Sequence, residues 1–276
     1  MKSFKSIALA TAIAATTAFA ADASAAEADG RNTTVILVHG AFAESASWNG
    51  VVPRLTARGY TVVAAGNPLR SVAGDAEVVD GLVERAPGPV VLVGHSYGGA
   101  LALWAARTLG KHVSHLALYE PMLPGLLRPH GRLEAAAEAE ALHADVQRLG
   151  AAGDWLALGE RFSDYFNGDG SWAASPPARR AAIAAALPPN VAEWAPVMAP
   201  LPADAFAGIG ARCLLLRGTH TRRALREIAA VLARQHAHWQ LDELPGCGHM
   251  GPLTHAEQVN QRLVEFLDEA PVVAAA

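Results

Sequence analysis

The chain has 276 residues, 51% of them hydrophobic and 17% charged, enough for one large α/β domain or one domain carrying a sizeable insertion. A formal net charge of −4 and a pI near 6.2 leave no basic face for nucleic acid or anionic lipid, so a small molecule is the expected partner. The two cysteines, Cys213 and Cys247, fall at a strand start and in a later loop; two separate thiols are expected, with no zinc-site spacing, no metal and no cofactor.

Lys2 and Lys5 precede an apolar stretch from Ile7 to Phe19, and small residues with A-x-A spacing come after it. That is the layout of a secretory signal peptide over residues 1–25, with cleavage after Ala20 or Ala25, so a secreted or periplasmic protein is expected. The apolar core is short for a bilayer span and no later stretch is long enough, so no membrane span is expected once the signal is removed.

Beyond residue 31, six short runs rich in Val, Leu and Ile predict buried parallel strands: 34–39, 61–66, 89–94, 113–120, 212–218 and 238–244. Most are continuously apolar, as expected where both faces of a sheet are covered. Helical patterns lie between them, roughly at Ala46–Arg58, Val72–Arg85, Ser96–Leu109, Arg222–Gln235 and Ala256–Glu269. Alternation of this kind predicts an α/β fold with a mostly parallel, doubly wound sheet of about six strands, whose ligand site lies at the carboxyl ends of the strands. Between Pro121 and Gly210 the alternation stops. One long helical pattern is followed by short helices cut by prolines, with no convincing strand. The expected layout is a core from 31–120 and 210–270 with a helical cap inserted over 121–209.

At the end of the third apolar run stands Gly94-His95-Ser96-Tyr97-Gly98, with a strand pattern before it and a helical pattern after it. A serine between glycines at a strand-to-helix turn contributes little to a fold. There its hydroxyl is held outward at the positive end of a helix, which makes Ser96 a candidate nucleophile rather than an ordinary N-cap. Such a serine needs a base. Of eleven histidines, His249 lies in the Gly-rich loop "LPGCGHMGPLTH" between the last strand and the last helix, where it can reach the elbow; His220, directly after a strand, is the rival. An oxyanion hole needs two preorganised N–H donors, and the candidates are the amides of Tyr97 and of Ala41 in "VHGAFAESASW". Phe42 would then form an apolar wall, or equally pack against the cap.

The third member of a triad is displaced. After the strand 212–218 comes "THTRRALREIAA", with no carboxylate before Glu227 inside a helix. Glu120, at the carboxyl end of the strand beside the elbow strand, is the candidate acid, because a triad is defined by geometry and not by chain order. The alternatives are His220, a water, or the pair Asp242 and Glu243, which lies before the loop.

The motifs "HGAF", "GHSYGG" and "GCGHMGPLTH", in this order and context, resemble those of the α/β-hydrolase superfamily from about Thr33 to Leu267. The resemblance implies a serine hydrolase core with Ser96 as nucleophile, His249 as base and a helical cap. Glu120 resembles the acid position of the haloalkane dehalogenase branch, but dehalogenases and epoxide hydrolases of this fold use an aspartate where Ser96 stands. Hydrolysis of uncharged carboxylic esters or lactones of small apolar molecules is the leading expectation, with amides possible. Trp155, Tyr165 and Trp172 are the candidate substrate-binding residues of the cap, among a set that includes Phe162, Phe166, Trp194 and Met198, most of which would merely pack the cap. A cofactor-free perhydrolase or haloperoxidase is compatible with the same triad, and the displaced acid leaves open a ligand-binding protein without turnover. A hydroxynitrile-lyase reading needs a cation near the site; the lysines are Lys2, Lys5 and Lys111, and the last lies at the opposite strand end.

Overall fold

The computed structural model describes residues 32–41 and 43–269. The expected signal peptide and Phe42 lie outside them. Six strands, β1 (Thr34–Val38), β2 (Thr61–Ala64), β3 (Val90–His95), β4 (Val113–Tyr119), β5 (Arg212–Gly218) and β6 (Gln240–Leu244), form one sheet in the order β2-β1-β3-β4-β5-β6, with every pair parallel. Strands β1 and β3 are buried throughout, which is why both read as unbroken apolar runs. From β1 the chain passes first to β2 on one side and then to β3 on the other. The carboxyl ends of β1 and β3 therefore flank the switch point, where open α/β sheets place their ligands.

The helices divide between the two faces. Helices α2 (Val72–Arg85), α3 (Tyr97–Leu109) and α8 (Arg223–Gln235) cover one face through residues such as Val79, Leu101, Leu103, Ile228 and Leu232. The other face is covered by α1 (Val52–Thr56) and α9 (Ala256–Glu269), with Leu55, Leu263 and Phe266 buried against Leu37, Val91 and Leu214. The helix expected over Ala46–Arg58 is in fact a 3-10 turn at Ser45–Trp48 followed by α1. Pro53 explains the break: it has no N–H to bond back across Asn49 and Gly50, and it suits the first turn of a new helix.

Between β4 and β5 the chain forms α4 (Leu133–Ala152), α5 (Trp155–Asn167), α6 (Ser171–Ala174) and α7 (Pro177–Met198), and no strand. These helices have their own core of Leu142, Val146, Leu158, Phe162, Leu187 and Trp194. The short proline-cut helices expected here are one helix of 22 residues that carries Pro188, Pro189 and Pro196 inside it. Proline's fixed φ is itself helical and forfeits one hydrogen bond. Leu187 and Trp194, both buried in the same cap core, hold the segments on either side of Pro188 and Pro189 in one line. Cys213 and Cys247 are separate buried thiols. Among the described residues no helix is long and apolar enough to cross a membrane, and no cluster of side chains could hold a metal.

Candidate active site

Ser96 directly follows β3 with φ 55° and ψ −121°, and α3 begins at Tyr97 rather than at the serine. A non-glycine residue held there stores about 1–3 kcal/mol of strain, and it persists because the surroundings fix it. The Ser96 N–H donates to the Tyr119 carbonyl at 3.0 Å, while its own carbonyl accepts from Met122 and from the amides of the first turn of α3. The flanking glycines are required by close approach. A Cβ on Gly94 would lie 2.6 Å from the Cα of Gly99, and one on Gly98 would lie 2.3 Å from the Val38 carbonyl oxygen. The turn is thus wedged between β1 and its own helix, with the serine side chain at the floor of a cavity beneath the cap.

His249 Nε2 lies 2.9 Å from Ser96 Oγ, and His249 Nδ1 lies 2.9 Å from Glu120 Oε2. A carboxylate only accepts, so Nδ1 carries the proton and Nε2 is left to accept from the serine. Glu120 is fully buried, at φ 45° just after β4. It receives three donors: the Gly218 N–H on Oε1 at 2.7 Å, and the Thr221 hydroxyl at 2.8 Å together with His249 on Oε2. The β5 end, which carries no carboxylate, instead supplies the two groups that hold one arriving from β4. The other acids considered are engaged elsewhere, Asp242 with Arg262 at 2.6 Å and Glu243 with Arg217. His220 is exposed and lines a groove that adjoins the site at Phe166 and His249.

A surrounding set of contacts fixes these groups. His95 Nε2 donates to the His249 carbonyl at 2.9 Å. Burial, reinforced by His249, lowers the His95 pKa to about 3, so this imidazole is neutral at ordinary pH and its tautomer is set by the carbonyl it faces. The Tyr119 hydroxyl donates to the Gly248 carbonyl at 2.7 Å; burial, with Glu120 and Cys247 nearby, pushes its pKa well up, so it stays a donor. His39 Nδ1 donates to the Gly40 carbonyl at 2.9 Å, and the Ala43 N–H reaches the same oxygen at 3.3 Å. Because the C=O and N–H of a trans peptide point opposite ways, this turns the Ala41 N–H away from His39. Ala41 lines the cavity beside Ser96 and Tyr97. Tyr97 is in turn anchored through its hydroxyl, which donates to the fully buried Asp75 at 2.8 Å. Sequence reasoning treats His39 and His95 as motif background and passes over Asp75, Tyr119 and Thr221. Among these, only the place of His39, His95 and Tyr119 inside or next to the motifs marks them in the sequence.

The cavity above Ser96 has a volume of about 460 Å³ and an apolar lining, with Phe162, Phe166, Trp194, Leu187, Ile183 and Met122 among its walls. Phe166 lies over His249 with ring centroids 4.8 Å apart. Three expected lining residues are elsewhere. On α5 the row through Leu158 and Tyr165 turns into the cap, whereas Phe162, Ser163, Phe166 and Asn167 meet the cavity. Tyr165 therefore packs in the cap core, donates its hydroxyl to Glu138 at 2.8 Å, and reaches only the neighbouring polar groove. Trp155 packs against the same core, and Trp172 is buried over Gly159. Arg222 ties this cap to the sheet, donating to the carbonyls of Asp164 and Tyr165 at 2.6 and 2.9 Å from the position next to Thr221.

Comparison with known proteins places this fold. The model of the alpha/beta hydrolase family matches residues 35–262. The pyrethroid hydrolase of Sphingobium wenxiniae is 31% identical over 176 residues, 54% of this chain; the match spans 59% of that protein's length, less than two thirds. An esterase from Exiguobacterium antarcticum superposes with a TM-score of 0.67 at 19% identity, over 87% of this chain and 93% of the other. A bromoperoxidase from Bacillus anthracis gives 0.66 at 19% identity with the same coverage. At such identities these two likenesses establish the fold.

Proposed function

The chain belongs to the alpha/beta hydrolase family, and on that premise we propose that it hydrolyses uncharged carboxylic esters through an acyl-enzyme on Ser96. The observation that carries this reading is the unbroken chain from Ser96 Oγ through His249 to Glu120, two contacts of 2.9 Å each, opening on an apolar cavity. His249 Nε2 takes the serine proton as Oγ attacks the ester carbonyl, and the amides of Tyr97 and Ala41 receive the oxyanion. The imidazolium then protonates the departing alcohol, and the acyl group stays on Ser96. A water attacks that acyl carbon and gives its proton to His249; as the C–Oγ bond breaks, the imidazolium passes that proton to Ser96 Oγ and the acid leaves. Glu120 remains a carboxylate throughout and holds Nδ1–H.

A neutral substrate suits an aromatic and aliphatic cavity better than a peptide or a phosphate does. The relative named as a pyrethroid hydrolase supports a hydrolytic reaction. Burst kinetics on p-nitrophenyl acetate and butyrate test the proposal. A burst stoichiometric with enzyme and absent in Ser96→Ala is the expected result; turnover that persists in Ser96→Ala rules out the acyl-enzyme. The proposal extends to export, on the strength of Lys2, Lys5 and the apolar stretch Ile7–Phe19. A mature N-terminus at residue 21 or 26 on protein recovered from outside the cytoplasm is the matching test.

A further inference from the structure

The cavity under the cap holds a polar group that the chemistry at Ser96 does not use. Ser163 lies on α5 among the residues that meet the cavity, with Phe162, Phe166 and Asn167 as its neighbours there. The residue is only 5% exposed. Its carbonyl accepts from Asn167 Nδ2 at 3.1 Å, but among the described residues its hydroxyl has no protein partner. A serine inside a helix commonly turns its hydroxyl back to the carbonyl four residues earlier, here Gly159, and this one does not. A hydroxyl in apolar surroundings is costly unless something accepts its proton, and the surrounding phenyl and indole faces do so poorly.

The position of Ser163 also says which arm of an ester would meet it. His249 delivers the proton to the departing alcohol, so the alcohol arm lies on the histidine side of the reacting carbon. Phe166 lies over His249 with ring centroids 4.8 Å apart, and Ser163 stands three residues earlier on the same helix, about one turn from that contact. We infer that the natural substrate is an ester whose apolar alcohol arm carries a single hydrogen-bond acceptor, an ether or ketone oxygen, placed to receive the Ser163 hydroxyl. This rests on the ester-hydrolase reading above and deepens it: Ser163 is a specificity determinant. An all-hydrocarbon arm of the same length buries the hydroxyl without a partner and is disfavoured, the asymmetry by which buried polar groups reject analogues that lack the matching atom.

The test compares acetate esters in matched pairs, with release of acetic acid followed by pH-stat titration. 2-Phenoxyethyl, 3-phenoxypropyl and 4-phenoxybutyl acetates are each set against the phenylalkyl acetate in which a methylene replaces the ether oxygen. The expected result is a kcat/KM ratio favouring the ether by about three- to tenfold at one arm length in the native protein, falling to about one in Ser163→Ala. A preference that survives in Ser163→Ala, or none at any length while the esters are hydrolysed, overturns the inference. In the latter case the hydroxyl turns back on its own helix when substrate binds. Wild-type turnover of p-nitrophenyl butyrate separates the two readings, since its absence removes the hydrolase proposal itself and this inference with it.

Discussion

Replacing Glu120 with glutamine changes the polarity of one buried group at nearly constant shape, and the donors around it dictate how the new amide must sit. The Gly218 N–H can only donate and sits 2.7 Å from Oε1, so it selects the amide oxygen of the glutamine for that position. The amide NH₂ must then occupy the place of Oε2, facing the Thr221 hydroxyl and His249 Nδ1 at 2.8 and 2.9 Å. Thr221 can rotate its hydroxyl and accept. The imidazole can accept only by moving its proton from Nδ1 to Nε2, and that tautomer turns an N–H toward Ser96 Oγ, 2.9 Å away. The serine proton is left without an acceptor, and the imidazolium that forms during acylation loses its counter-charge. Wrong-tautomer substitutions of this kind cost about 10³- to 10⁴-fold in kcat, which corresponds to about 4–5.5 kcal/mol of barrier. The assay is kcat and kcat/KM of Glu120→Gln on p-nitrophenyl butyrate, with the melting temperature as a check on folding. A folded variant retaining more than a tenth of native kcat/KM refutes the assignment of Glu120 as the group that sets the tautomer.

Thr221→Val removes one donor to the same carboxylate while keeping the side chain's shape; kcat should fall about tenfold with KM unchanged, and Thr221→Ser should restore it. Equal loss in the serine variant assigns Thr221 a packing role only. Gly98→Ala places a Cβ 2.3 Å from the Val38 carbonyl oxygen. The wedge between β1 and α3 must open, at a cost of about 1–3 kcal/mol, or roughly 2–12 °C in Tm by calorimetry. Stability should also depend on pH through buried imidazoles, of which two are shifted furthest. Burial lowers His95 to about 3 and, with Arg212 adding to it, His115 to about 4, both below the ordinary value of 6.5. The unfolded chain therefore binds more protons between those values, so stability is fully present above pH 6.5 and falls as the pH drops toward 4. Each imidazole contributes a slope of up to about 1.4 kcal/mol per pH unit. Urea midpoints at pH 7.5 and 5 measure this; His115→Leu, which lies far from the site, should flatten the dependence by one group's share, and an unchanged slope counts against it.

The parallel sheet was legible because its strands are buried on both faces, and burial writes itself into the chain as unbroken apolar runs such as those of β1 and β3. Ser96 and His249 were legible for a related reason. Each needs a local backbone geometry that glycine-rich turns supply, and those turns are contiguous in sequence. The cap was legible as helix but not as lining. On α5 a rotation of about 100° per residue separates Phe166, over His249, from Tyr165, inside the cap, and the helix's angle to the sheet decides which of them meets the cavity.

By itself, then, the sequence determined what is short-range: the strand and helix periods, the strained elbow at Ser96 and the loop carrying His249. Only the tertiary structure decided what depends on bringing distant segments together. It joined Glu120 from the end of β4 to Gly218 and Thr221 at the end of β5, across about a hundred residues of cap, and set His39, His95 and Asp75 behind the reacting groups. The physical reason is that hydrogen-bond polarity and burial belong to neighbours in space. A carboxylate with three donors around it and one with none look the same in sequence, and only the packed sheet distinguishes them.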